Sequence, residues 1–148
     1  MITRAALALL LITTPAGADE MRFAPDALHA RDGDDLSDGQ TRIRLAGIDA
    51  PEMPGRQGKA ARATLAALIE GRAVTCITTE FDDRFGRFVG SCTAEGVGDL
   101  ARALVAAGLA SDWPKYPPSY RKAERAAARN RAGFWAGDGP DTRPAKGR

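Results

Sequence analysis

Thr41-Arg42-Ile43-Arg44-Leu45-Ala46-Gly47-Ile48-Asp49-Ala50-Pro51-Glu52 is the stretch from which the rest of the chain can be read. Its first half is a strand: Thr41, Ile43 and Leu45 alternate with Arg42 and Arg44, the two-residue period of a half-buried sheet. Gly47 and Pro51 break that period, so the backbone leaves the sheet within a few residues. The turn carries two carboxylates, Asp49 and Glu52, just downstream of Arg44. A guanidinium and two carboxylates on a rigid strand-to-loop junction suit the handling of a phosphate through a metal ion. On an ordinary surface turn the same charges are merely solvated, and this stretch alone leaves both readings open.

Upstream, residues 21–45 read as strand and hairpin material, punctuated by the turn clusters Asp32-Gly33-Asp34-Asp35 and Asp38-Gly39. Downstream, Ala61, Leu65, Leu68 and Ile69 fall at helical spacing, which predicts a helix from Lys59 to Glu70 stopped by Gly71. A strand from Ala73 to Thr78 and its partner from Arg87 to Thr93 then flank the polar loop from Glu80 to Gly86. A hairpin centred near Arg84 sets Cys76 opposite Cys92, and in an exported chain a cross-strand disulfide is favoured over two buried thiols. Asp99 is the expected N-cap of a second helix, with Leu100, Leu104 and Ala107 on one face and Gly108 as its stop.

The rigid aromatic connector from Trp113 to Pro118 leads to Ser119, the expected cap of a third helix from Tyr120 to Arg131. That helix is rich in alanine and arginine; its Arg121, Lys122, Arg125, Arg129 and Arg131 could meet phosphates, but a solvated basic face is the commoner explanation. Gly133-Phe134-Trp135 should fold back onto the body. The element order predicts a mainly β protein with added helices: a five-stranded Greek-key barrel of the OB type plus three α-helices. Barrels of this kind bind oligonucleotides and oligosaccharides.

Composition narrows the function. Met1 to Arg4 is a basic head, Ala5 to Ile12 an apolar run too short to span a bilayer, and Ala16-Gly17-Ala18 a small-x-small cleavage pattern. Residues 1–18 therefore read as a signal peptide, and the protein as exported, periplasmic or secreted, with no membrane contact in its mature form. Removing that leader from 148 residues leaves 130, enough for one domain over residues 19–135 and a tail, 136–148, expected to be disordered. The formal charge of +2 provides no global attraction for polyanions, so any nucleic acid must be gripped by local basic groups. Two cysteines and one histidine cannot form a four-ligand Cys/His zinc site. His29 has no nucleophile beside it in sequence and reads as a strand-surface residue.

From about Leu28 to Trp135 the chain resembles the staphylococcal-nuclease-like (thermonuclease) family. The resemblance rests on Asp32-Gly33-Asp34, on Arg44 to Glu52, on Asp83-Arg84-Phe85-Gly86-Arg87, on Leu104 to Ala110, and on Gly133-Phe134-Trp135, all in order and at family spacing. It implies an OB-fold nuclease, a monomer, that uses Ca²⁺ to hydrolyse phosphodiester bonds in DNA and RNA and leaves 3′-phosphates. By position, Asp34 and Asp49 are the metal carboxylates, with the backbone carbonyl of Ala50 as a further ligand. Glu52 matches the residue that positions or deprotonates the attacking water, and Arg44 and Arg87 match the pair that grips the phosphate. Arg84, Phe85, Trp113 and Tyr116 fall where nucleic acid is expected to lie, the two last near a base.

Elementary chemistry agrees with that set. Oxygen donors suit a hard cation, forked guanidinium groups suit phosphate oxygens, and a carboxylate beside water supplies base assistance. The chain also departs from the family pattern. Asp35 stands where threonine is usual, and Phe85 replaces a frequent tyrosine. An extra carboxylate at 35 either tightens an ion site or draws the ion from its catalytic position. Arg31 and Asp38 stand where the family prefers apolar strand residues, which leaves the first hairpin poorly anchored. The competing readings are a catalytically silent OB module that binds single-stranded nucleic acid or another anionic polymer, and a structural scaffold. The presence of Arg44, Glu52 and Arg87 together favours the enzyme.

Overall fold

The computed structural model describes residues 17–82, 84–113, 115 and 117–137. Five strands come first: β1 (Asp19–Phe23), β2 (His29–Ala30), β3 (Asp35–Ser37), β4 (Arg42–Leu45) and β5 (Ile48–Asp49). The helix α1 (Arg56–Ile69) separates them from the long hairpin β6 (Val74–Asp82) and β7 (Arg87–Ala94). There follow β8 (Gly98–Asp99), α2 (Leu100–Ala106), β9 (Ser111–Asp112), α3 (Arg121–Arg129) and a 3₁₀ turn over Gly133–Ala136.

Pairing runs β1-β6-β7-β4-β3-β2, with β8 also on β7, while β5 and β9 form a separate ribbon. Among the described residues β4 and β7 pair in parallel and the other strand pairs are antiparallel. The result is the expected mainly β architecture, a curled mixed sheet forming a half-barrel with three helices. The alternation read in sequence decides its two faces. Leu36, Ile43 and Leu45 are wholly buried in the core, whereas Asp35, Arg42 and Arg44 share the other face of β3 and β4.

α1 buries Gly58, Ala61, Leu65 and Ile69 on one stripe, and α2 buries Leu100, Ala101, Leu104 and Val105. Asp99 caps α2 as expected, its carboxylate accepting the Arg102 N–H at 3.1 Å. The third helix is shorter than expected and its N-cap is Tyr120, one residue after Ser119: the Ser119 hydroxyl accepts the Arg121 N–H only at 3.5 Å and donates to Asp112 at 3.2 Å. The Tyr120 N–H donates to the same carboxylate at 2.6 Å, so a tertiary acceptor on β9 outcompetes the local cap. Phe134 is buried and its N–H donates to the Gly108 carbonyl, so the 3₁₀ turn folds back onto the end of α2. His29 lies exposed on β2. The first hairpin is short, but Asp38 accepts the Gln40 and Thr41 N–H groups and closes its turn. Residues 1–16 of the signal segment and 138–148 of the tail lie outside the described residues.

In the β6–β7 hairpin Cys76 pairs directly with Cys92, and the two form a disulfide. Next to the turn Asp82 pairs with Arg87, a register that would set Cys76 opposite Thr93; the shift between Thr78 and Glu80 moves the pairing by one residue and brings Cys92 opposite Cys76. The bond spans a sequence separation of 16 and both residues are wholly buried. Replacing both cysteines with alanine is expected to cost roughly 3 kcal/mol through the freed denatured chain, read as a lower urea midpoint with a somewhat steeper slope, because the unbridged denatured chain exposes more surface.

Candidate active site

The face of the sheet opposite the core presents basic side chains, and the turns above it present acidic ones. Arg44 is buried, with one guanidinium nitrogen donating to the Leu45 carbonyl at 2.7 Å. Its other terminal nitrogen lies 3.5 Å from the Asp34 carboxylate and 3.7 Å from that of Asp49. Asp34 precedes β3 and is fixed twice: its carbonyl accepts the Leu45 N–H at 2.8 Å, and its carboxylate accepts the Ala50 N–H at 2.9 Å. These two hydrogen bonds tie the Asp-Gly-Asp turn to Leu45 and Ala50, on either side of the Gly47 turn.

Close packing does the rest. Gly33 lies so near Ala50 and Ala61 that a Cβ there would sit 2.7 Å from both side chains. Gly58, in the first turn of α1, would place a Cβ 2.2 Å from the Glu52 carbonyl. The loop bearing Glu52 is therefore pressed against α1, with its carboxylate exposed.

A cavity of about 300 Å³ collects these groups. Asp34, Arg44, Asp49 and Glu52 line one part of it, and Arg84, Phe85, Arg87 and Trp113 another. Two of its aromatic rings carry cations. Arg84 and Arg87 lie 5.0 and 4.8 Å from the Phe85 ring centre, while Arg44 and Lys115 lie 4.9 and 5.5 Å from that of Trp113. Phe85 is about half exposed. Tyr116 lies outside the described residues. A larger groove, about 820 Å³, runs between α1 and the β2 segment and contains none of these groups.

Burial works against the charged form of the acidic cluster. Burial pushes the Asp49 carboxyl up to about 6, with the charges of Asp34 and Glu52 adding to the effect and Arg44 opposing it. Asp34 is also raised, chiefly by burial, against the opposing influence of Arg44 and of the Ala50 N–H. Asp32, in the same cavity, is raised by burial and then by Glu52 and Asp35, while the Gly33 N–H acts the other way. Oxygen-only donors that penalise one another as anions fit a hard divalent cation. Among the described residues no three His, Cys, Asp or Glu side chains converge as a complete cage. An ion held by Asp34 and Asp49 would take its other ligands from backbone carbonyl oxygen, for which Ala50 is the candidate, and from water.

The model of the family described as "Staphylococcal nuclease homologue" matches residues 42–137 of this chain. The chain belongs to that family. A "Probable staphylococcal-like nuclease CAN1" of Oryza sativa subsp. japonica is 33% identical over 110 residues, which are 73% of this chain and 33% of the relative. A "Succinoglycan biosynthesis protein ExoI" of Rhizobium meliloti is 32% identical over 142 residues, 88% of this chain and 73% of the relative. An "Uncharacterized endonuclease" of Escherichia coli O157:H7 is 31% identical over 101 residues, 67% and 65% of the two chains. The chain spans about a third of the length of the rice relative.

Among staphylococcal nuclease homologues the departure at Asp35 now has a physical account. Asp35 points toward neither Asp34 nor Asp49; its carboxylate is ion-paired with Arg42 and lies 3.7 Å from Arg87. It is buried, on the site face of β3, and steadies two cations of the cavity. The sequence reading missed Arg42, Asp32 and Lys115 as cavity residues, and Gly33 and Gly58 as packing determinants. Gly58 carried no signal, because the helix was read as starting at Lys59, whereas α1 begins at Arg56 and takes Gly58 into its first turn.

Proposed function

We propose that the protein is an exported, Ca²⁺-dependent nuclease that hydrolyses phosphodiester bonds of DNA or RNA and releases 3′-phosphate ends. The observation that carries the reading is the single cavity in which the Asp34–Asp49 pair meets Arg44, Arg87 and Glu52. In this reading Arg44 and Arg87 donate to the non-bridging phosphate oxygens, where charge grows as the phosphorus becomes five-coordinate. Glu52, at the exposed edge of the site, takes a proton from the attacking water. A bond from that water oxygen to phosphorus forms, the bond to the 5′-oxygen breaks, and a proton from solvent completes the leaving hydroxyl. Bound Ca²⁺ would neutralise phosphate charge and orient water. Phe85 and Trp113 offer stacking surfaces for bases without reading their sequence.

Relatives named as nucleases and as an endonuclease support this assignment. The relative named for succinoglycan biosynthesis favours a second reading, in which the cavity grips an anionic polymer without cutting it. Paired arginines beside a carboxylate that can act on water favour the hydrolase. Export is supported by the leader and by the Cys76–Cys92 bond, which suits an oxidising compartment. N-terminal sequencing of natively exported protein should begin at Asp19; an intact Met1 would overturn that part.

The test of the reaction uses a 5′-labelled single-stranded DNA and its RNA counterpart, incubated with the protein and Ca²⁺. Shortened products whose mobility changes on treatment with a 3′-phosphatase are expected. Intact substrate, or products insensitive to that treatment, would refute the assignment.

A further inference from the structure

One face of α3 is charged in a way that its fold does not require. Arg121, Lys122, Arg125 and Arg129 are all exposed, and at 3.6 residues per turn they occupy an arc of about 100°. The opposite side is turned inward: Ala127 is buried, Ala123 packs on the core, and Glu124 accepts the Asp112 N–H at 3.1 Å. The acid of the helix is thus engaged away from the basic face. Among the described residues no carboxylate forms an ion pair with any of the four cations.

At its N-terminal end this arrangement works against the helix, although Arg129 in the last turn suits the dipole. Arg121 and Lys122 occupy its first turn, where the macrodipole disfavours cations. Arg121 with Arg125, and Arg125 with Arg129, are like-charge neighbours four residues apart. With a formal charge of only +2 on the whole chain, this stripe is a local concentration and not a general bias. It is also tied to the cavity. Asp112 accepts the Tyr120 N–H at the start of α3, and the next residue, Trp113, lines the cavity together with Lys115.

We propose that this stripe is a second contact for the nucleic-acid backbone, holding the substrate strand where it runs on beyond the cavity. The four cations extend over about 12 Å of helix, room for a few consecutive phosphates. Contacts of this kind are sequence-independent and act through charge, so they lengthen the preferred substrate without selecting bases. The inference deepens the nuclease reading and rests on it for the identity of the strand.

The experiment measures binding with a chelator present, so that nothing is cleaved. Fluorescence anisotropy of labelled 4-mer and 24-mer single-stranded DNA is recorded over a range of NaCl concentrations for the protein and for its Arg121→Gln/Arg125→Gln/Arg129→Gln variant, whose fold is checked by circular dichroism. The 24-mer should bind the variant about tenfold more weakly or worse, with a salt slope reduced by about 2, from roughly 0.7 per lost phosphate contact on a single strand. The 4-mer, held within the cavity, should bind both proteins alike. Unchanged 24-mer affinity and slope, an equal loss for both lengths, or loss only of binding to phosphatidylglycerol vesicles would overturn the proposal. A protein that binds the 24-mer through the stripe but cuts nothing when Ca²⁺ is added would sink the nuclease reading alone.

Discussion

Arg44→Ala, Arg87→Ala and Glu52→Ala are each expected to lower kcat by about two orders of magnitude or more, the range for a preorganised charge donor or a general base. Arg44 is held on β4 by the Leu45 carbonyl and by two carboxylates, so its guanidinium is in place before substrate arrives. Arg87 is held at the start of β7 by the Asp35 carboxylate and stacks on Phe85. Fixed donors of this kind act on charge that develops only in the transition state. Arg84 stands in contrast: it is exposed in the turn between β6 and β7, with its guanidinium over the Phe85 ring. A cation so placed attracts ground state and transition state alike, so Arg84→Ala should raise KM and flatten the salt dependence while kcat stays near normal. Steady-state kinetics on variants shown folded by circular dichroism decide the matter. A folded Arg87→Ala with normal kcat, beside an inactive Arg84→Ala, would reverse the two roles.

The second large effect concerns stability. Gly47 sits between β4 and β5 with φ of +79°, and a Cβ there would lie 2.2 Å from the Pro118 carbonyl oxygen and 2.9 Å from the Tyr120 ring. Neither neighbour is free to yield: Tyr120 is almost wholly buried, and its hydroxyl donates to Asp99 at 2.8 Å. The Gly47 carbonyl also accepts the Trp113 N–H at 2.8 Å, so the same residue ties the decisive stretch to the cavity wall. Gly47→Ala combines left-handed backbone strain with overpacking and should cost about 3 kcal/mol or more, a fall in Tm of roughly 10 °C. Gly39 provides the control. Its φ is +96° but nothing lies within 4 Å of its Cβ direction, so Gly39→Ala should cost only about 1 kcal/mol from strain. Equal melting points for the two variants would show that the close approach at Gly47 carries no energy.

Local rules explain which parts of this molecule could be read in advance. The alternation from Thr41 to Leu45 separates core from site face, and it does so without help from the rest of the chain. The Cys76–Cys92 pairing matched the symmetry about Arg84 only because a one-residue register shift between Thr78 and Glu80 offsets the pairing set by the turn, a bulge that no local pattern announces. Asp35 was illegible for the opposite reason. Its neighbour in sequence, Asp34, turns to Arg44 and Ala50, while Asp35 turns to Arg42 and Arg87, and only the pairing of β3, β4 and β7 separates the two fates. Ser119 looked like a helix cap by composition, yet Asp112 arrives from β9 and takes over both it and the Tyr120 N–H. Gly33 and Gly58 matter through atoms they lack, and the distances that reveal this lie between segments far apart in the chain.

The central claim is that Asp34 and Asp49 hold the cation on which phosphodiester cleavage depends. The most direct measurement is the initial rate of single-stranded DNA cleavage as a function of free Ca²⁺, for the protein and for Asp49→Asn. With chelator the rate should fall to background and return when Ca²⁺ is restored. Asp49→Asn removes one anionic oxygen donor, so its half-activating Ca²⁺ concentration should rise by about tenfold or more, since losing a charged ligand weakens such sites steeply. Cleavage by a homogeneous preparation that persists in chelator, or an Asp49→Asn variant with an unchanged Ca²⁺ response, would contradict the account.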